Sequence, residues 1–450
     1  MELYNKSVEY MASSGISSLI KQSSAVLVAF SGGADSAVLL RIMKEYLKDT
    51  GITVAAAHLN HMIRGEEARR DQDFCKKAAD GLNIPFYTKN ADVPAYANKT
   101  GMSIEEAARH IRYEFLSDIS HTLGDNTLIA TAHNATDNLE TVIFNLARGS
   151  GTSGMAGIAP IRDQRIIRPI LFATSEEIRV YAEKNQIPYV VDSTNTDTAY
   201  TRNFVRSNIV PRLKEINSLA ELSVLRLSSI ARSEADYINI QASHLIEGKH
   251  IKRNDFESAH PALRNAALRL LYKNRTGTLN CLSMKNLETA SNFAVNGRGE
   301  ISLPKATLVS DTDVIFFKEE ITLPRETVRL IPDGPAVPFG DTFAVAVATA
   351  QKEPIYDENI YNLFIQQSTS FDTIYDSVFV RPRLSGDRIL KNGMHKKLKK
   401  LMCERNVPLR YRDTLPLFCD GKGILWVPTV ELRDNAKGKD ITLYVFQKKL

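Results

Sequence analysis

The residues best suited to chemistry lie in a short turn, SGGADS, at positions 31 to 36. Gly32 and Gly33 can adopt positive φ and expose backbone N–H groups, and a helix starting near Asp35 adds the positive end of its dipole. Converging amides of this kind bind phosphates. The Asp35 carboxylate would repel those phosphates unless a hard cation such as Mg²⁺ lay between them. The turn therefore predicts a nucleoside triphosphate bound with a metal ion.

Other readings of this turn are weaker or remain open. No Gly-Lys-Ser/Thr follows it, so it is not a Walker A loop, and one Gly-Gly pair falls short of the Rossmann fingerprint. A plain strand-to-helix turn, capped by Ser31 or Asp35, stays open on these residues alone.

Three further stretches carry polar residues at spacings that suit catalysis or binding: HLNHMIRGEEARRD from position 58, SIEEAARHIRYEFL from 103 and ATAHNATDNLETVIFNLARGSGTSGMAGI from 130. Each also has a plain structural reading. His58 and His61 form a zinc pair only with a third ligand, and otherwise are polar residues satisfied at a strand edge. The second stretch can be a solvated helix face. The third can be a helix cap, with Asp137 at the N-cap and Glu140 three residues further on.

Short apolar runs lie before, between and after these motifs. They predict strands at 25–30, 53–59, 84–88, 127–132 and 187–191. Helical spacing separates them, as at Leu39, Ile42, Met43 and Tyr46. Alternating strands and helices predict an α/β fold with a doubly wound, mostly parallel sheet. Ligands bind at the carboxyl ends of such strands, so SGGADS and the residues after TLIATA should meet in one crevice.

The chain is long enough for several domains, since it has 450 residues and a usual domain has about 100 to 200. We expect a catalytic domain at 1–216, a helical middle domain at 217–315 and a small, basic α/β domain at 316–450. Helical segments are expected from residue 218, at 261–274 and at 284–292. Strands and turns follow from about residue 300, where Pro and Gly punctuate the sequence.

Charge placement points to a polyanion. The net charge is +5, and residues 381–412 contain eleven Lys or Arg against Asp387 and Glu404. Residues 396–405, KKLKKLMCER, predict a helix with an apolar stripe edged by lysines. The four scattered cysteines indicate no structural metal, and the absence of a secretion signal or membrane-length apolar segment predicts a cytoplasmic protein without a membrane partner.

SGGADS closely resembles the signature of the N-type ATP pyrophosphatases, the PP-loop superfamily, which cleave ATP between its α and β phosphates. Together with the other three stretches and RPIL, DSTN and RNFVR at positions 168, 192 and 202, it resembles the tRNA(Ile)-lysidine synthetase family over residues 25–215. The resemblance implies ligation of free L-lysine to the wobble cytidine of the CAU anticodon of tRNA(Ile), after adenylation of the cytosine 2-oxygen by ATP. It also implies Mg²⁺ and makes a homodimer an expectation.

Roles follow from this resemblance residue by residue. The residues expected to bind ATP are Ser31, Gly32, Gly33, Ala34, Asp35, Ser36, His58, Asn60 and Arg109, with Asp35 holding Mg²⁺. The expected catalytic residues are Asp35, Arg112, His133, Asp137 and Glu140. In that set Asp137 and Glu140 would hold the lysine ammonium groups, although Asp137 can instead bind Mg²⁺, and no general base stands out. The expected tRNA contacts are Arg148, Arg202, Arg206, Arg388, Lys396, Lys397, Lys399 and Lys400.

Overall fold

The computed structural model describes residues 2–62, 65–191, 201–318, 327–350 and 352–449, excepting the side chains of residues 201 and 202. These residues divide into two compact units, Met1–Tyr237 and Ile238–Leu450. Each unit contains its own cluster of fully buried apolar side chains. Among the helices that the structure describes, none has the length and apolar character needed to cross a membrane.

The first unit alternates helices with strands. Its elements are α1 (Glu2–Ser13), α2 (Ile16–Lys21), β1 (Ala25–Ala29), α3 (Ala34–Tyr46), β2 (Thr53–Asn60), α4 (Glu66–Gly81), β3 (Phe86–Asn90), α5 (Val93–Thr100), α6 (Ile104–Leu123), β4 (Thr127–Ala130), α7 (Ala135–Ala147), α8 (Thr152–Met155), β5 (Ile161–Arg162), β6 (Ile166–Ile167), α9 (Ser175–Lys184), α10 (Thr201–Phe204), α11 (Val210–Ile216) and α12 (Ala220–Ser243). A π-helical turn, Val205–Ile209, joins α10 to α11.

The sheet of this unit has the strand order β3-β2-β1-β4-β6-β5. All neighbouring strands are parallel except the β5–β6 pair. Strand β1 is central and apolar because helices cover both faces of the sheet, and Leu39, Ile42 and Met43 of α3 are fully buried against it. The predicted doubly wound sheet is confirmed, and β1 and β4 end side by side where the motifs follow.

The strand predicted at 187–191 is wrong. These residues form no strand, and the N–H of Val190 instead donates to the carbonyl of Gly32 at 2.9 Å. Strand β6, which is only two residues long, takes the place beside β4. The apolar run at 187–191 therefore packs against the SGGADS turn. Its hydrophobic pattern alone does not distinguish such a segment from a buried strand.

The second unit combines helices with antiparallel sheets. Its elements after α12 are β7 (Ile246–Glu247), β8 (His250–Lys252), α13 (Arg253–Ser258), α14 (Pro261–Thr276), α15 (Met284–Asn296), β9 (Gly299–Leu303), β10 (Ala306–Ser310), β11 (Val314–Phe317), β12 (Val328–Arg329), β13 (Val337–Phe339), β14 (Phe343–Thr349), β15 (Tyr361–Thr369), β16 (Phe379–Arg381), β17 (Arg388–Lys391), β18 (Met394–Lys397), α16 (Leu398–Glu404), α17 (Leu409–Arg412), β19 (Leu417–Asp420), β20 (Gly423–Val427), β21 (Glu431–Leu432) and β22 (Ile441–Lys448).

The middle region is not purely helical. The predicted helices appear as α12, α14 and α15, but a five-stranded sheet with the order β7-β8-β11-β10-β9 packs with them. Strands β7 and β8 were not expected, because each is too short to show an alternating pattern. The division into three domains stays a prediction.

The C-terminal region contains two antiparallel sheets, ordered β12-β16-β19-β20-β21 and β13-β14-β22-β15, and the separate hairpin β17–β18. Asn392 and Gly393, both with positive φ, make the two-residue hairpin turn. Lys396 and Lys397 lie on β18 rather than on a helix, so the helix predicted at 396–405 begins late, at Leu398. Its apolar stripe is confirmed, because Leu398, Leu401 and Met402 are buried.

Candidate active site

The SGGADS turn lies between the end of β1 and the start of α3. Gly32 has φ +91°, and a Cβ there would meet the Cys75 Sγ at 3.0 Å, so the turn requires glycine at this position. The Ser36 hydroxyl donates to the Gly33 carbonyl at 3.0 Å and lies 3.1 Å from the Ser31 hydroxyl. The two hydroxyl groups and the first amides of α3 thus share one small volume, as a phosphate-binding turn requires.

Asp35 lies in the first turn of α3 in a half-buried position. Burial, reinforced by the negative charge of Asp137, raises its pKa to about 6, and Arg206 and a hydrogen bond from Asn134 act against that rise. Asp35 and Asp137 thus lie in the same neighbourhood, beyond the ends of the adjacent strands β1 and β4. Such a pair is stabilised by a cation between them.

Asp137 belongs to a capping box at the start of α7. Asn134 is the N-cap residue, and its side-chain oxygen accepts from the Asp137 N–H at 3.0 Å, while Asp137 Oδ2 accepts from the Asn134 N–H at 3.1 Å. The prediction that this stretch caps a helix is confirmed, but the N-cap is Asn134 and Asp137 is the third residue of the helix. The box fixes the carboxylate and directs Oδ1 toward Arg206, whose Nη2 lies 3.5 Å away.

Glu140 is one turn further along α7, and its side chain is completely buried. Arg206, on the π-helical turn, donates from Nε to Glu140 Oε1 at 2.5 Å and from Nη2 to Oε2 at 3.2 Å. Arg206 thus forms a two-point ion pair with Glu140 and also lies near Asp137. These are the two carboxylates expected to hold the lysine substrate. That Arg206 contacts tRNA stays a prediction.

Thr136 fixes the start of α7 from the other side. Its hydroxyl donates to Glu221 Oε1 of α12 at 2.6 Å and accepts from the Ser175 N–H at 3.1 Å. Glu221 is 5% exposed, so this bond lies away from solvent. The position of Asp137 thus depends on contacts with α9 and α12, which sequence reasoning missed.

His133 follows β4 directly. Its Nδ1 lies 2.9 Å from the Thr131 hydroxyl and accepts from Arg168 Nε at 3.4 Å. Since a guanidinium can only donate, the neutral ring carries its proton on Nε2. Arg168 was not among the predicted site residues, although it opens the RPIL motif, which was the available signal.

Arg109 and Arg112 lie on α6, and both are exposed. The Arg109 guanidinium carbon lies 5.3 Å from the centre of the Tyr113 ring, and that of Arg162 on β5 lies 4.4 Å from it. Tyr113 and Arg162 were also missed, because nothing in the sequence pairs positions that are so far apart.

His58 and Asn60 lie at the carboxyl end of β2, the strand next to β1. His58 Nδ1 donates to the Phe30 carbonyl at 3.0 Å, and the Asn60 side chain accepts from Met62 N–H at 2.9 Å and donates to Gln72 at 3.0 Å. Both are buried. Their contact with ATP stays a prediction. Within the described part of the chain, no group of three His, Cys, Asp or Glu is arranged to hold a metal ion.

Comparison with known proteins identifies this arrangement. Residues 4–213 match the PP-loop domain family, and residues 378–443 match the TilS substrate C-terminal domain family. A tRNA(Ile)-lysidine synthase of Clostridioides difficile is 30% identical over 442 residues, covering 93% of this chain and 94% of the relative. The corresponding protein of Thermotoga maritima is 32% identical over 429 residues, covering 92% and 94%. The chain belongs to the tRNA(Ile)-lysidine synthase family.

Membership confirms the resemblance on which the site prediction was based. A further tRNA(Ile)-lysidine synthase, of Thermosipho africanus, is 47% identical over 211 residues, covering 46% of this chain and 48% of that relative. The protein is an enzyme of this family with a PP-loop domain that uses ATP. The roles of its individual site residues stay predictions.

The remaining predicted tRNA contacts are spread along the chain of this synthase-family protein. Arg148 ends α7 and stacks on Phe144, with its guanidinium carbon 3.9 Å from the ring centre. The side chain of Arg202 and the DSTN motif at 192–195 lie outside the described residues. In the second unit, Arg388 and Lys397 face each other across the β17–β18 hairpin, and both are exposed.

Lys396 occupies the opposite face of β18 and is half-buried, whereas Lys399 and Lys400 are exposed on α16. Like charges directly opposite on a hairpin destabilise it unless an anion lies over them. The Arg388–Lys397 pair is the part of this basic group in which two like charges lie directly opposite each other, and its contact with tRNA stays a prediction.

Proposed function

We propose that this protein ligates free L-lysine to the wobble cytidine of the CAU anticodon of tRNA(Ile). The cytosine 2-oxygen first attacks the α-phosphorus of ATP and diphosphate leaves. The lysine ε-amine then attacks carbon 2 of the base, its proton is lost, and AMP leaves with the oxygen. Adenylation is needed because the 2-oxygen is otherwise a poor leaving group.

One observation carries the proposal: Glu140 and Asp137, at the carboxyl edge of the parallel sheet, already hold a guanidinium cation beside the phosphate-binding turn. A lysine ammonium group has the charge and the donors that this acid pair accepts. The family relatives are named tRNA(Ile)-lysidine synthase, which supports the same assignment.

Asp35 fits a Mg²⁺ ligand, since hard divalent cations take carboxylate oxygens. Its pKa is raised by burial and then by the negative charge of Asp137, and a bound cation would offset both effects. When bound, Mg²⁺ would neutralise charge on the ATP phosphates. The amides and hydroxyls of Ser31, Gly32, Gly33 and Ser36 would bind the β and γ phosphates.

His133 would contact the flipped cytosine, as aromatic side chains do for unstacked RNA bases. Arg112 would offset charge on the adenylate. The cytoplasmic location and the homodimer remain predictions.

Incubation of the protein with bulk tRNA, ATP, Mg²⁺ and labelled lysine tests the proposal. Nucleoside mass spectrometry should locate the label in a cytidine-derived nucleoside. Asp137→Asn should lower its yield about 100-fold, because the lysine site loses a charge, whereas the exposed Asp118→Asn should match wild type. Diphosphate release that depends on tRNA, without lysine in any nucleoside, would instead indicate another acceptor chemistry.

A further inference from the structure

A group of three arginines surrounds one tyrosine at the edge of the sheet in the first unit. Arg109 and Arg162 both place their guanidinium groups over the Tyr113 ring, at 5.3 and 4.4 Å from its centre. Arg168 lies near enough to Tyr113 for the two side chains to influence one another electrostatically. We call Arg109, Arg162 and Arg168 the arginine cluster. It joins α6, β5 and the segment after β6, and it reaches His133 through Arg168.

The arginine cluster carries more positive charge than its surroundings offset. Arg168 is only 4% exposed, yet it donates to neutral acceptors, the Ala159 carbonyl and His133 Nδ1. Burial lowers the pKa of its guanidinium, and the nearby charges of Arg162 and Arg109 act in the same direction. Within the described residues, the ion pairing of the cluster is limited to Arg162 with Asp163, at 3.5 Å, and the Asp163 side chain is 83% exposed.

The Nε of Arg162 is the atom that lies 3.5 Å from Asp163 Oδ2, and it makes no hydrogen bond within the described residues. This Nε is buried, although the side chain as a whole is 34% exposed. A buried donor of this kind costs free energy unless a ligand or water accepts from it. The Tyr113 ring meanwhile holds the planar guanidinium groups in place, so that little side-chain entropy would be lost on binding an anion.

We propose that the arginine cluster binds a backbone phosphate of the RNA substrate, next to the flipped base at His133. This inference rests on the proposed function, since it assumes that RNA enters at His133, and it replaces the ATP contact expected of Arg109 with an RNA contact. The sheet order supports RNA over diphosphate as the source of the phosphate. Strand β4 separates β6 from β1 and its SGGADS turn, and the cluster opens to solvent through Arg109 and Arg162.

The test compares Arg162→Gln with Arg165→Gln. Arg165 lies on the same β5–β6 hairpin, but its guanidinium donates to Ser120 and lies against His121, away from Tyr113. Arg162→Gln should weaken tRNA binding about threefold to tenfold and reduce the salt dependence of log Kd by about one. Arg165→Gln should bind tRNA as wild type does. Arg162→Lys keeps the charge without the flat stack, and should fall between Gln and wild type.

A second measurement separates the two sources of phosphate. Titration calorimetry with inorganic diphosphate should give the same affinity for wild type and Arg162→Gln. Loss of diphosphate binding with unchanged tRNA affinity would overturn the RNA assignment. If Arg162→Gln binds both tRNA and diphosphate as wild type does, the arginine cluster is not a phosphate site. If Arg162→Gln does not fold, the same two measurements on Arg162→Lys provide the test. Lysidine formation by wild type is scored separately, so the proposed function can stand or fall independently.

Discussion

Asp35 of the candidate site and Asp420 at the end of β19 are both aspartates removed from bulk water, yet their carboxyl groups are held in opposite ways. Asp35 faces a second carboxylate, Asp137, and its pKa is raised to about 6. Asp420 faces Arg433, which donates to its two oxygens at 2.7 and 2.6 Å. Burial alone would raise the pKa of Asp420, but Arg433 and the N–H groups of Tyr375 and Lys422 hold it below its ordinary value.

The same contrast extends beyond these two residues. Asp387 and Glu431 of the second unit also have lowered pKa values, because the basic partners Arg381, Lys391 and Arg405 overcome the cost of burial. Carboxylates in that unit thus stabilise the fold in the absence of any ligand. Asp35 differs from these carboxylates because burial and the charge of Asp137 raise its pKa, and a carboxyl group with a raised pKa is a pattern expected of a functional site.

The largest expected effect comes from Asp420→Asn, which leaves Arg433 buried without its counter-charge. We expect the free energy of unfolding of the second unit to fall by about 3 to 5 kcal/mol, measured by urea denaturation. The exposed Asp341→Asn provides the control and should change it little. An equal, small effect of both substitutions would remove the contrast between the two regions.

The same substitution at Asp35 should damage catalysis instead. Asp35→Asn removes the carboxylate proposed to hold Mg²⁺, and we expect lysidine formation at saturating ATP and tRNA to fall about 100-fold. Excess Mg²⁺ should not restore it. Activity near that of wild type would remove Asp35 from the metal site.

The free energy of unfolding should rise in Asp35→Asn, whereas it should fall in Asp420→Asn. Because the folded pKa of Asp35, about 6, lies above its ordinary value of 3.8, the stability that protonation provides is fully present below pH 3.8 and lost as the pH rises through 6. Asp35→Asn should therefore exceed wild type by about 1 to 3 kcal/mol at pH 7, and the difference should vanish below about pH 4. Denaturation of both proteins between pH 3.5 and pH 7, without Mg²⁺, measures it; a constant difference would contradict the raised pKa.

The smallest effect is expected at the β17–β18 hairpin, where the like charges of Arg388 and Lys397 lie opposite each other on an exposed surface. Replacing Arg388 and Lys397 together with Gln should weaken tRNA binding about threefold to tenfold at low salt and less at high salt. Turnover at saturating tRNA should not change. The matched control is Lys391→Gln, because Lys391 lies on the same hairpin but pairs with Glu431 at 2.7 Å.

The sequence was sufficient to predict those parts of the structure that depend on residues close together in the chain. The SGGADS turn, the buried periodicity of α3 and the parallel strands around β1 all follow from patterns within a few residues of one another. The motifs also predicted that Asp35 and Asp137 would meet at one edge of the sheet, and these residues do follow the adjacent strands β1 and β4 there.

The rest depends on contacts between distant segments. Nothing near Arg206 or Glu140 in sequence indicates that they form an ion pair across 66 positions, and nothing links Arg162 to Tyr113. The run at 187–191 was mistaken for a strand because apolar residues that pack on a turn look like residues in a sheet. Lys396 and Lys397 were placed on a helix because strand β18 is too short to establish an alternating pattern.

The bond from Thr136 to Glu221 joins residues that are 85 positions apart. During synthesis the ribosome releases the strands and the SGGADS turn long before Glu221, so the start of α7 lacks this anchor until α12 has emerged. A nascent chain ending at residue 216 would contain every predicted catalytic residue and still leave Asp137 without part of its support. Maturation of the catalytic centre is thereby tied to translation of a segment that contributes no reacting group.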